Sequence, residues 1–329
     1  MTDPLERTAT HSRSPARVTV VGAGLVGGSW AVVFARAGCV VTVHDQDAKQ
    51  MLAAENWIRQ TLRSLESAGA LHDTTATILA RLSYEPVRSR AVADADYIQE
   101  SIIESLEAKR NLFQLLDREA PAAAVLASST SSFPISAIAA DLPGRARCIV
   151  AHPANPPHLI SLTEVCGAPF TAAATIQRTL GLLAQVGQAP VLLRQEIDGF
   201  VLNRLQWSLL AEALRLVAEG VIAAVDVDRV VSLGLARRWA LMGPLHVGDL
   251  NAPGGLSDYL ARFGPTINRI AESRGASPLV MSEPLLAALR ELQDHAAREP
   301  RATRLQSRDE NLLRLNGVLD PLIAPDAGS

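Results

Sequence analysis

Two side chains suited to proton transfer, His152 and Glu164, stand twelve residues apart near the middle of the sequence. His152 follows the apolar run 148–151, and Glu164 lies inside the apolar run 162–165. A carboxylate between apolar neighbours needs a polar partner, and two strands joined by a loop can bring it to the imidazole. Glu164 would then fix the tautomer of His152 and stabilise its protonated form. Such a histidine can take a proton from a substrate hydroxyl, although a structural histidine fits the same spacing.

Two further polar side chains could join this pair. Ser131, in the segment SSTSSF at 128–133, follows a predicted strand. It could reach a reacting oxygen, or it could be a turn or helix-capping serine. Asn203 lies in the apolar first turns of a long predicted helix, where it is either a satisfied core asparagine or a donor aimed at a cleft between domains. His158, between two apolar neighbours, is predicted to be an ordinary loop residue.

A glycine-rich loop at 22–27 matches the pattern G-x-G-x-x-G, lies between a predicted strand and a helix, and is followed by Asp45 at the end of the next strand. Gly22 allows the tight turn, Gly24 lets a pyrophosphate approach the backbone, and Gly27 permits close helix–sheet packing. Asp45 would bind the adenosine ribose and repel a 2′-phosphate, which predicts NAD rather than NADP. FAD and a loop without a ligand are the alternatives. The predicted cofactor contacts here are Gly22, Gly24, Leu25, Val26, Gly27, Asp45 and Gln46.

Short apolar runs that alternate with helical segments must position these residues. The runs lie at 17–21, 39–43, near 83, and at 96–100, 124–128, 147–152, 162–165 and 189–193. Strands alternating with helices predict an α/β fold, a Rossmann-type doubly wound and mostly parallel sheet. Almost forty residues without a strand follow Asp45, and two helical patterns there predict an inserted helical hairpin. An ordinary long crossover is the alternative.

Length and composition set the domain organisation and exclude several function classes. The chain has 329 residues, which predicts two domains after a disordered tail over 1–14. These are a nucleotide-binding domain over 15–196 and, because the strand-like runs stop after residue 198, an all-α domain over 197–329. The net charge of −3 shows no bias toward nucleic acid. Three cysteines without metal-ligand spacing predict neither a disulfide framework nor a metal site. Since no apolar segment reaches about 18 residues, we expect no membrane span and a cytoplasmic location.

Taken together, these residues resemble the 3-hydroxyacyl-CoA dehydrogenase superfamily, and within it the lambda-crystallin/L-gulonate 3-dehydrogenase branch. The resemblance extends from about residue 16 to about residue 275, and its motifs are highly specific. The segments that carry it are VVGAGLVGGSWAVVFARAG, IQESIIESLEAKRNLF, SSTSSF, IVAHPANPPHLISLTEV, EIDGFVLNRLQ and GLARRWALMGPL. It implies NAD-dependent oxidation of the C3 hydroxyl of a 3-hydroxy acid by a homodimer. It also implies that the all-α domain over 197–329 binds the substrate and pairs the two subunits.

The resemblance also implies roles for individual residues. His152 and Glu164 match the catalytic pair, Ser131 matches the serine beside the nicotinamide and the substrate oxygen, and Asn203 matches a substrate-side asparagine. The residues matched to the lining of the cofactor or the site are Glu104, Lys109 and Asn155.

Departures from the acyl-CoA members bear on the substrate. Pro153 and Ala154 follow the histidine where those members carry bulky aromatics, and Arg238 matches an arginine of the gulonate-type branch. A guanidinium can clamp a carboxylate through two hydrogen bonds, so we expect Arg238 to bind the carboxylate of a free 3-hydroxy acid, with a surface arginine as the alternative. The other functional alternatives are a short-chain 3-hydroxyacyl-CoA dehydrogenase, a carnitine-type 3-dehydrogenase and a non-catalytic NAD-binding crystallin-like protein.

Overall fold

The computed structural model describes residues 16–273 together with residues 283, 300, 303, 304, 307 and 318. The predicted tail over 1–14 lies outside the described residues, as does most of the predicted helical region after residue 273. The chain divides into two compact units, Met1–Leu209 and Leu210–Ser329.

The first unit contains eight strands and the helices that connect them. The strands are β1 (Arg17–Val21), β2 (Val40–His44), β3 (Leu82–Tyr84), β4 (Tyr97–Glu100), β5 (Val125–Ser128), β6 (Cys148–Pro153), β7 (Leu162–Cys166) and β8 (Ala189–Leu193). The helices are α1 (Leu25–Arg36), α2 (Ala48–Ser67), α3 (Thr75–Leu79), α4 (Arg88–Val92), α5 (Leu106–Glu119), α6 (Ile135–Ala139) and α7 (Ala173–Gln185). Helix α8 (Phe200–Ala218) begins in this unit.

All eight strands form one sheet in the order β3-β2-β1-β4-β5-β6-β7-β8. Every neighbouring pair is parallel except β6 and β7, which are antiparallel. The strand order reverses direction between β1 and β4, and in such sheets the crevice beyond the carboxyl ends of the strands at this point binds ligands. The predicted Rossmann-type, mostly parallel sheet is therefore confirmed.

Helix α1 is buried because its sequence is apolar or small on every side. Nine consecutive residues, from Gly27 to Ala35, are inaccessible to solvent or nearly so. The rings of Trp30 and Phe34 stack with their centroids 5.3 Å apart. This packing holds the beginning of α1, and the glycine-rich loop before it, firmly against the sheet.

The predicted helical hairpin is present between β2 and β3, formed by α2 and α3. The buried face of α2 follows helical periodicity and consists of Met51, Ala54, Ile58, Leu62 and Leu65. Gly28 of α1 lets the two helices approach, because a Cβ there would lie 3.1 Å from the Trp57 ring. Asp47 and Thr74 begin the two helices by accepting backbone N–H groups through their side chains.

Every element of regular secondary structure described in the second unit is helical. Its elements after α8 are α9 (Ala224–Val230), a π-helical turn (Val231–Leu235), α10 (Ala236–Trp239), α11 (Pro244–Leu250) and α12 (Gly255–Ser273). Asp249 joins the last two helices by accepting the N–H of Leu256 at 3.1 Å. None of the described helices has both the length and the apolar character needed to cross a bilayer.

Candidate active site

The antiparallel pairing of β6 with β7 sets His152 directly opposite Glu164. The Nδ1 atom of His152 lies 2.9 Å from Oε2 of Glu164, and the two residues are 5% and 3% exposed. The sequence-predicted pair is therefore in direct contact, away from solvent. A water molecule cannot easily compete for this hydrogen bond, so the carboxylate controls the orientation of the ring.

The second carboxylate oxygen of Glu164 binds the first turn of α8. Oε1 accepts the backbone N–H groups of Val201 and Leu202, each at 2.9 Å. Burial on its own would raise the pKa of Glu164, but the hydrogen bonds from His152 and from these two N–H groups lower it below its usual value. The positive end of the helix dipole acts in the same direction. Glu164 is therefore ionised at neutral pH.

An ionised carboxylate only accepts hydrogen bonds, so Nδ1 of His152 must carry the proton that joins them. The neutral imidazole then has an unprotonated Nε2, the atom that can act as a base. No hydrogen-bond partner of Nε2 is found among the described residues. The ring also packs on Phe200 at 5.3 Å between centroids. Phe200 has a positive φ of 50° directly after Gly199, and the sequence pattern did not predict a role for it.

The loop that carries Ser131 is held by Glu104. The Oε1 atom of Glu104 accepts the backbone N–H groups of Ser131 and Ser132 at 2.8 and 2.9 Å, and the hydroxyl of Thr130 at 2.7 Å. The Ser131 hydroxyl is a fourth and longer donor at 3.3 Å. Because three shorter donors satisfy this oxygen, the Ser131 hydroxyl is the one most easily released to another acceptor.

Asn203 contacts the same loop. Its Nδ2 atom donates to the backbone carbonyl of Ser131 at 2.9 Å. One amide hydrogen and the amide oxygen of Asn203 remain for other partners. Ser131 and Asn203, for which the sequence allowed either a structural or a functional role, are thus adjacent. Ser131 lies on the loop after β5, and Asn203 lies in the first turn of α8.

Lys109 lies beneath this loop rather than at its surface. Its ammonium is 2.8 Å from Oε1 of Glu100 and 3.2 Å from Oε2 of Glu104, and the residue is 1% exposed. Burial raises the pKa of Glu104, but the Thr130 hydroxyl, the Lys109 charge and the Ser131 N–H lower it below its usual value. The network supports the loop through Glu104. No role for Glu100 was predicted from the sequence. Its position as an acidic residue at the end of an apolar strand could have indicated one.

The loop between β6 and β7 carries Asn155, which is exposed, and His158, which is buried. His158 lies in a loop, as predicted, but it is also an anchor. Its Nδ1 atom is 2.8 Å from the Ser29 hydroxyl of α1, and Arg36 of the same helix donates to its backbone carbonyl at 2.9 Å. These two hydrogen bonds hold the β6–β7 loop, and with it the strands that carry His152 and Glu164, against α1.

The glycine-rich loop has the shape that a dinucleotide requires. Gly22 has φ +101°, and a Cβ there would lie 2.6 Å from the Ser101 backbone. A Cβ on Gly27 would overlap the carbonyl oxygen of Gly22. A Cβ on Gly24, in contrast, would meet no heavy atom within 4 Å, so this glycine borders open space that a pyrophosphate can enter. Leu25 and Val26 form the first turn of α1, whose free N–H groups favour an anion.

A cavity of about 450 Å³ extends from this loop to the end of β2. Asp45 lines it, and its carboxylate is fixed from both sides, accepting the N–H of Ala23 at 2.9 Å and that of Asp47 at 3.0 Å. The residues lining the cavity include Gly22, Gly24, His44, Asp45, Gln46, Gln50, Arg88, Ile102, Leu112 and Leu115. An acidic end and apolar walls fit an adenosine group.

Arg238 belongs to α10 in the second unit. Its side chain is half-buried, and its backbone carbonyl accepts the N–H groups of Leu241 and Met242 at 3.1 and 3.0 Å. Its role in binding substrate stays a prediction.

Two family models match the chain consecutively. The model described as 3-hydroxyacyl-CoA dehydrogenase, NAD binding domain, matches residues 17–197. The model described as 3-hydroxyacyl-CoA dehydrogenase, C-terminal domain, matches residues 199–277. The match of the first model confirms NAD as the cofactor, in agreement with the glycine-rich loop and Asp45.

Individual relatives cover most of the chain. A lambda-crystallin homolog of Bos taurus is 43% identical over 269 residues, which are 81% of this chain and 84% of the relative. An L-carnitine dehydrogenase of Streptomyces coelicolor is 35% identical over 321 residues, 95% of this chain and 98% of the relative. The crystal structure of a 3-hydroxyacyl-CoA dehydrogenase from Archaeoglobus fulgidus aligns with a TM-score of 0.70 and 25% identity, covering 93% of this chain and 99% of that one.

Proposed function

Since the chain belongs to the 3-hydroxyacyl-CoA dehydrogenase family and is an NAD-dependent dehydrogenase of a CH–OH group, we propose that it oxidises the C3 hydroxyl of a free 3-hydroxy acid to the 3-keto acid. The observation that carries the proposal is the buried 2.9 Å contact between His152 and Glu164, with the other oxygen of Glu164 bound to the start of α8. This contact prepares an unprotonated Nε2 for a hydroxyl proton.

In the proposed mechanism NAD supplies, when bound, the nicotinamide ring that accepts the hydride from C3. Nε2 of His152 takes the proton of the C3 hydroxyl, and the C–O bond becomes the carbonyl of the product. Glu164 stabilises the imidazolium that forms, because its negative charge is already fixed on the Nδ1 side of the ring. The substrate loses one hydride and one proton in total, and the histidine later returns its proton to solvent.

Ser131 and Asn203 hold the reacting oxygen in this proposal. The Ser131 hydroxyl, at 3.3 Å the longest of the four donors to Glu104, can turn to the substrate oxygen. The remaining amide hydrogen of Asn203 provides a second donor. Because Asn203 also donates to the backbone carbonyl of Ser131, the two donors are held at a fixed position relative to each other. Glu104 and Lys109 act as positioning residues beneath the loop.

Three observations bear on the substrate class. Relatives include a protein named L-carnitine dehydrogenase and proteins named lambda-crystallin homologs. Arg238 offers a guanidinium suited to a carboxylate, and Pro153 and Ala154 follow the histidine where acyl-CoA members carry aromatics. A free acid accounts for both sequence features. A 3-hydroxyacyl-CoA thioester, a carnitine-type cationic hydroxy acid and a non-catalytic crystallin-like role are the competing proposals.

A substrate panel discriminates among these proposals. The purified protein is incubated with NAD and gulonate, 3-hydroxybutyrate, carnitine or 3-hydroxybutyryl-CoA, and NADH formation is followed by absorbance. We expect the highest kcat/KM with a free hydroxy acid. Turnover of the thioester alone would overturn the free-acid assignment, whereas turnover of carnitine alone would restrict it to a 3-hydroxy acid that carries a quaternary ammonium group. NADH binding without turnover on the whole panel would favour the crystallin-like role.

The Arg238→Met variant tests the carboxylate contact. We expect its KM for the free acid to rise at least about tenfold, which is the loss of one charge-assisted interaction. The affinity for NADH should stay the same. Arg59→Met is the matched control, because Arg59 is a partly exposed arginine on α2 that pairs with Glu55 at 3.1 Å. An unchanged KM in the Arg238 variant would contradict the proposed contact.

We also propose a homodimer that buries the apolar surface of α8. This helix exposes several large apolar side chains, namely Val201, Leu205, Trp207, Leu210 and Leu214. Exposed apolar surface on this scale is typical of an interface. Light scattering at micromolar concentration should give twice the mass of the chain, and a monomer would contradict the proposal.

A further inference from the structure

A rigid ion pair lies beside the carboxylate that is expected to bind the ribose. Arg88 begins α4 and Glu119 ends α5. Nε of Arg88 donates to Oε2 of Glu119 at 2.9 Å, and Nη2 donates to Oε1 at 2.8 Å. The side chains are 28% and 24% exposed. Two parallel hydrogen bonds fix the plane of the guanidinium as well as its position.

Arg88 lines the same cavity as Asp45. The other lining residues include His44 and Gln46 on either side of Asp45 at the end of β2. Along α5 they are the polar Asn111 and the apolar Ala108, Leu112 and Leu115. An acidic residue at the end of the second strand addresses the adenosine ribose in this fold. Arg88 therefore borders the adenosine end of the NAD site.

The charges in this part of the cavity are balanced. Arg88 is the one lysine or arginine among the described residues that line the cavity. The hydrogen bonds to Glu119 raise the pKa of Arg88, and those from Arg88 lower the pKa of Glu119. Each group thus stays charged and neutralises the other. Glu119 occupies the Nε and Nη2 edge of Arg88, the edge that could otherwise hold a phosphate through two hydrogen bonds.

We propose that Glu119, by neutralising Arg88, is a second coenzyme-selectivity determinant that acts with Asp45 to exclude a 2′-phosphate from the adenosine end of the cavity. The proposal rests on NAD binding but not on the identity of the alcohol substrate. NADP differs from NAD by one dianionic phosphate on the adenosine ribose. Asp45 repels that group directly, and Glu119 occupies the one guanidinium that could otherwise bind it.

This arrangement makes the two acidic residues act in combination. Removing Asp45 alone takes away the repulsion, but Arg88 remains neutralised by Glu119. Removing Glu119 alone frees Arg88, but the carboxylate of Asp45 still repels a phosphate. Only the double change presents a free guanidinium without an opposing carboxylate. The gain in 2′-phosphate affinity in the double variant should therefore exceed the sum of the gains in the two single variants.

The test uses nucleotide fragments, which bind at this end of the site without any turnover. Calorimetry with the full chain measures the Kd of 5′-AMP and of adenosine 2′,5′-bisphosphate. Wild-type protein should prefer 5′-AMP. The Asp45→Ser/Glu119→Gln double variant should bind the bisphosphate at least about tenfold more tightly than Asp45→Ser does, the gain of one charge-assisted contact. Its affinity for 5′-AMP should stay within about threefold of the Asp45→Ser value.

Two controls make the result specific. Adding Arg88→Met to the double variant should abolish the gain. Pairing Asp45→Ser with Glu55→Gln, which neutralises a glutamate of the Arg59–Glu55 pair outside the cavity, should give no gain. Binding of 5′-AMP reports that each variant is folded, and Glu119→Ala serves if the glutamine variant is unstable. The proposal fails if adding Glu119→Gln to Asp45→Ser leaves bisphosphate affinity unchanged, or if the gain survives the loss of Arg88. Either result would leave the proposed oxidation of a 3-hydroxy acid intact.

Discussion

Replacing Glu164 by glutamine removes one negative charge from the buried pair without removing a heavy atom. The N–H groups of Val201 and Leu202 require an acceptor, so the amide oxygen of the variant must face α8. The amide nitrogen then faces His152 and donates to Nδ1. This forces the proton of the neutral imidazole onto Nε2, where the ring can no longer accept the hydroxyl proton.

The size of the effect follows from burial. During the reaction His152 becomes an imidazolium while only 5% exposed, and a buried charge left without its partner costs about 3 to 5 kcal/mol. We therefore expect kcat to fall about 10²- to 10⁴-fold in Glu164→Gln. NADH affinity should stay within about threefold, because the substitution does not touch the glycine-rich loop. Steady-state kinetics on the best panel substrate and a fluorescence titration with NADH measure the two quantities.

Glu196→Gln is the matched control for this experiment. Glu196 lies in the same unit and accepts a backbone N–H, that of Ser136, at 2.8 Å, but it has no contact with the imidazole among those that the structure describes. Its glutamine variant should keep kcat within about twofold. If Glu164→Gln retained kcat within about tenfold of wild type while Glu196→Gln behaved normally, the carboxylate would not set the tautomer, and the proposed mechanism would be wrong.

Three other predictions test the cofactor loop, the loop anchor and the oxygen-binding groups. Gly24→Val should weaken NADH binding at least about tenfold while changing the free energy of unfolding by less than about 1 kcal/mol, because its side chain enters the open space meant for pyrophosphate; a denaturant titration separates the two effects. Burial and then the charge of Arg36 lower the pKa of His158, so the unfolded state binds more protons and stability should fall as pH drops below about 6.5. Urea unfolding at about pH 8 and about pH 5 should show a smaller decrease in the free energy of unfolding for His158→Gln than for wild type. Equal decreases would refute the role of His158 in this pH dependence. Asn203→Ala should lower kcat about 100-fold with NADH affinity retained, and an unchanged kcat would remove it from the reaction.

Local sequence patterns determined the elements of this protein and the chemistry they could carry. The apolar runs and turn residues predicted each strand of the sheet, because buried strands and amphipathic helices have hydrophobic patterns that repeat within a few residues. The glycine spacing at 22–27 and the carboxylate of Asp45 predicted NAD, because turn conformation and close approach to phosphate depend on those residues alone. The sequence also suggested that His152 and Glu164 meet, as neighbouring strands joined by one loop usually pair.

Tertiary structure alone decided how these groups are held. Four contacts join segments that no sequence periodicity relates. They are the antiparallel pairing of β6 with β7, the hydrogen bonds from α8 to Glu164, those from the Ser131 loop to Glu104, and the ion pair between Arg88 and Glu119. The partners in the last pair are 31 residues apart, and their contact exists because α4 and α5 pack together. Hydrogen bonds and ion pairs are short-range and directional, so their formation depends on the packed positions of whole elements, which residue spacing does not specify.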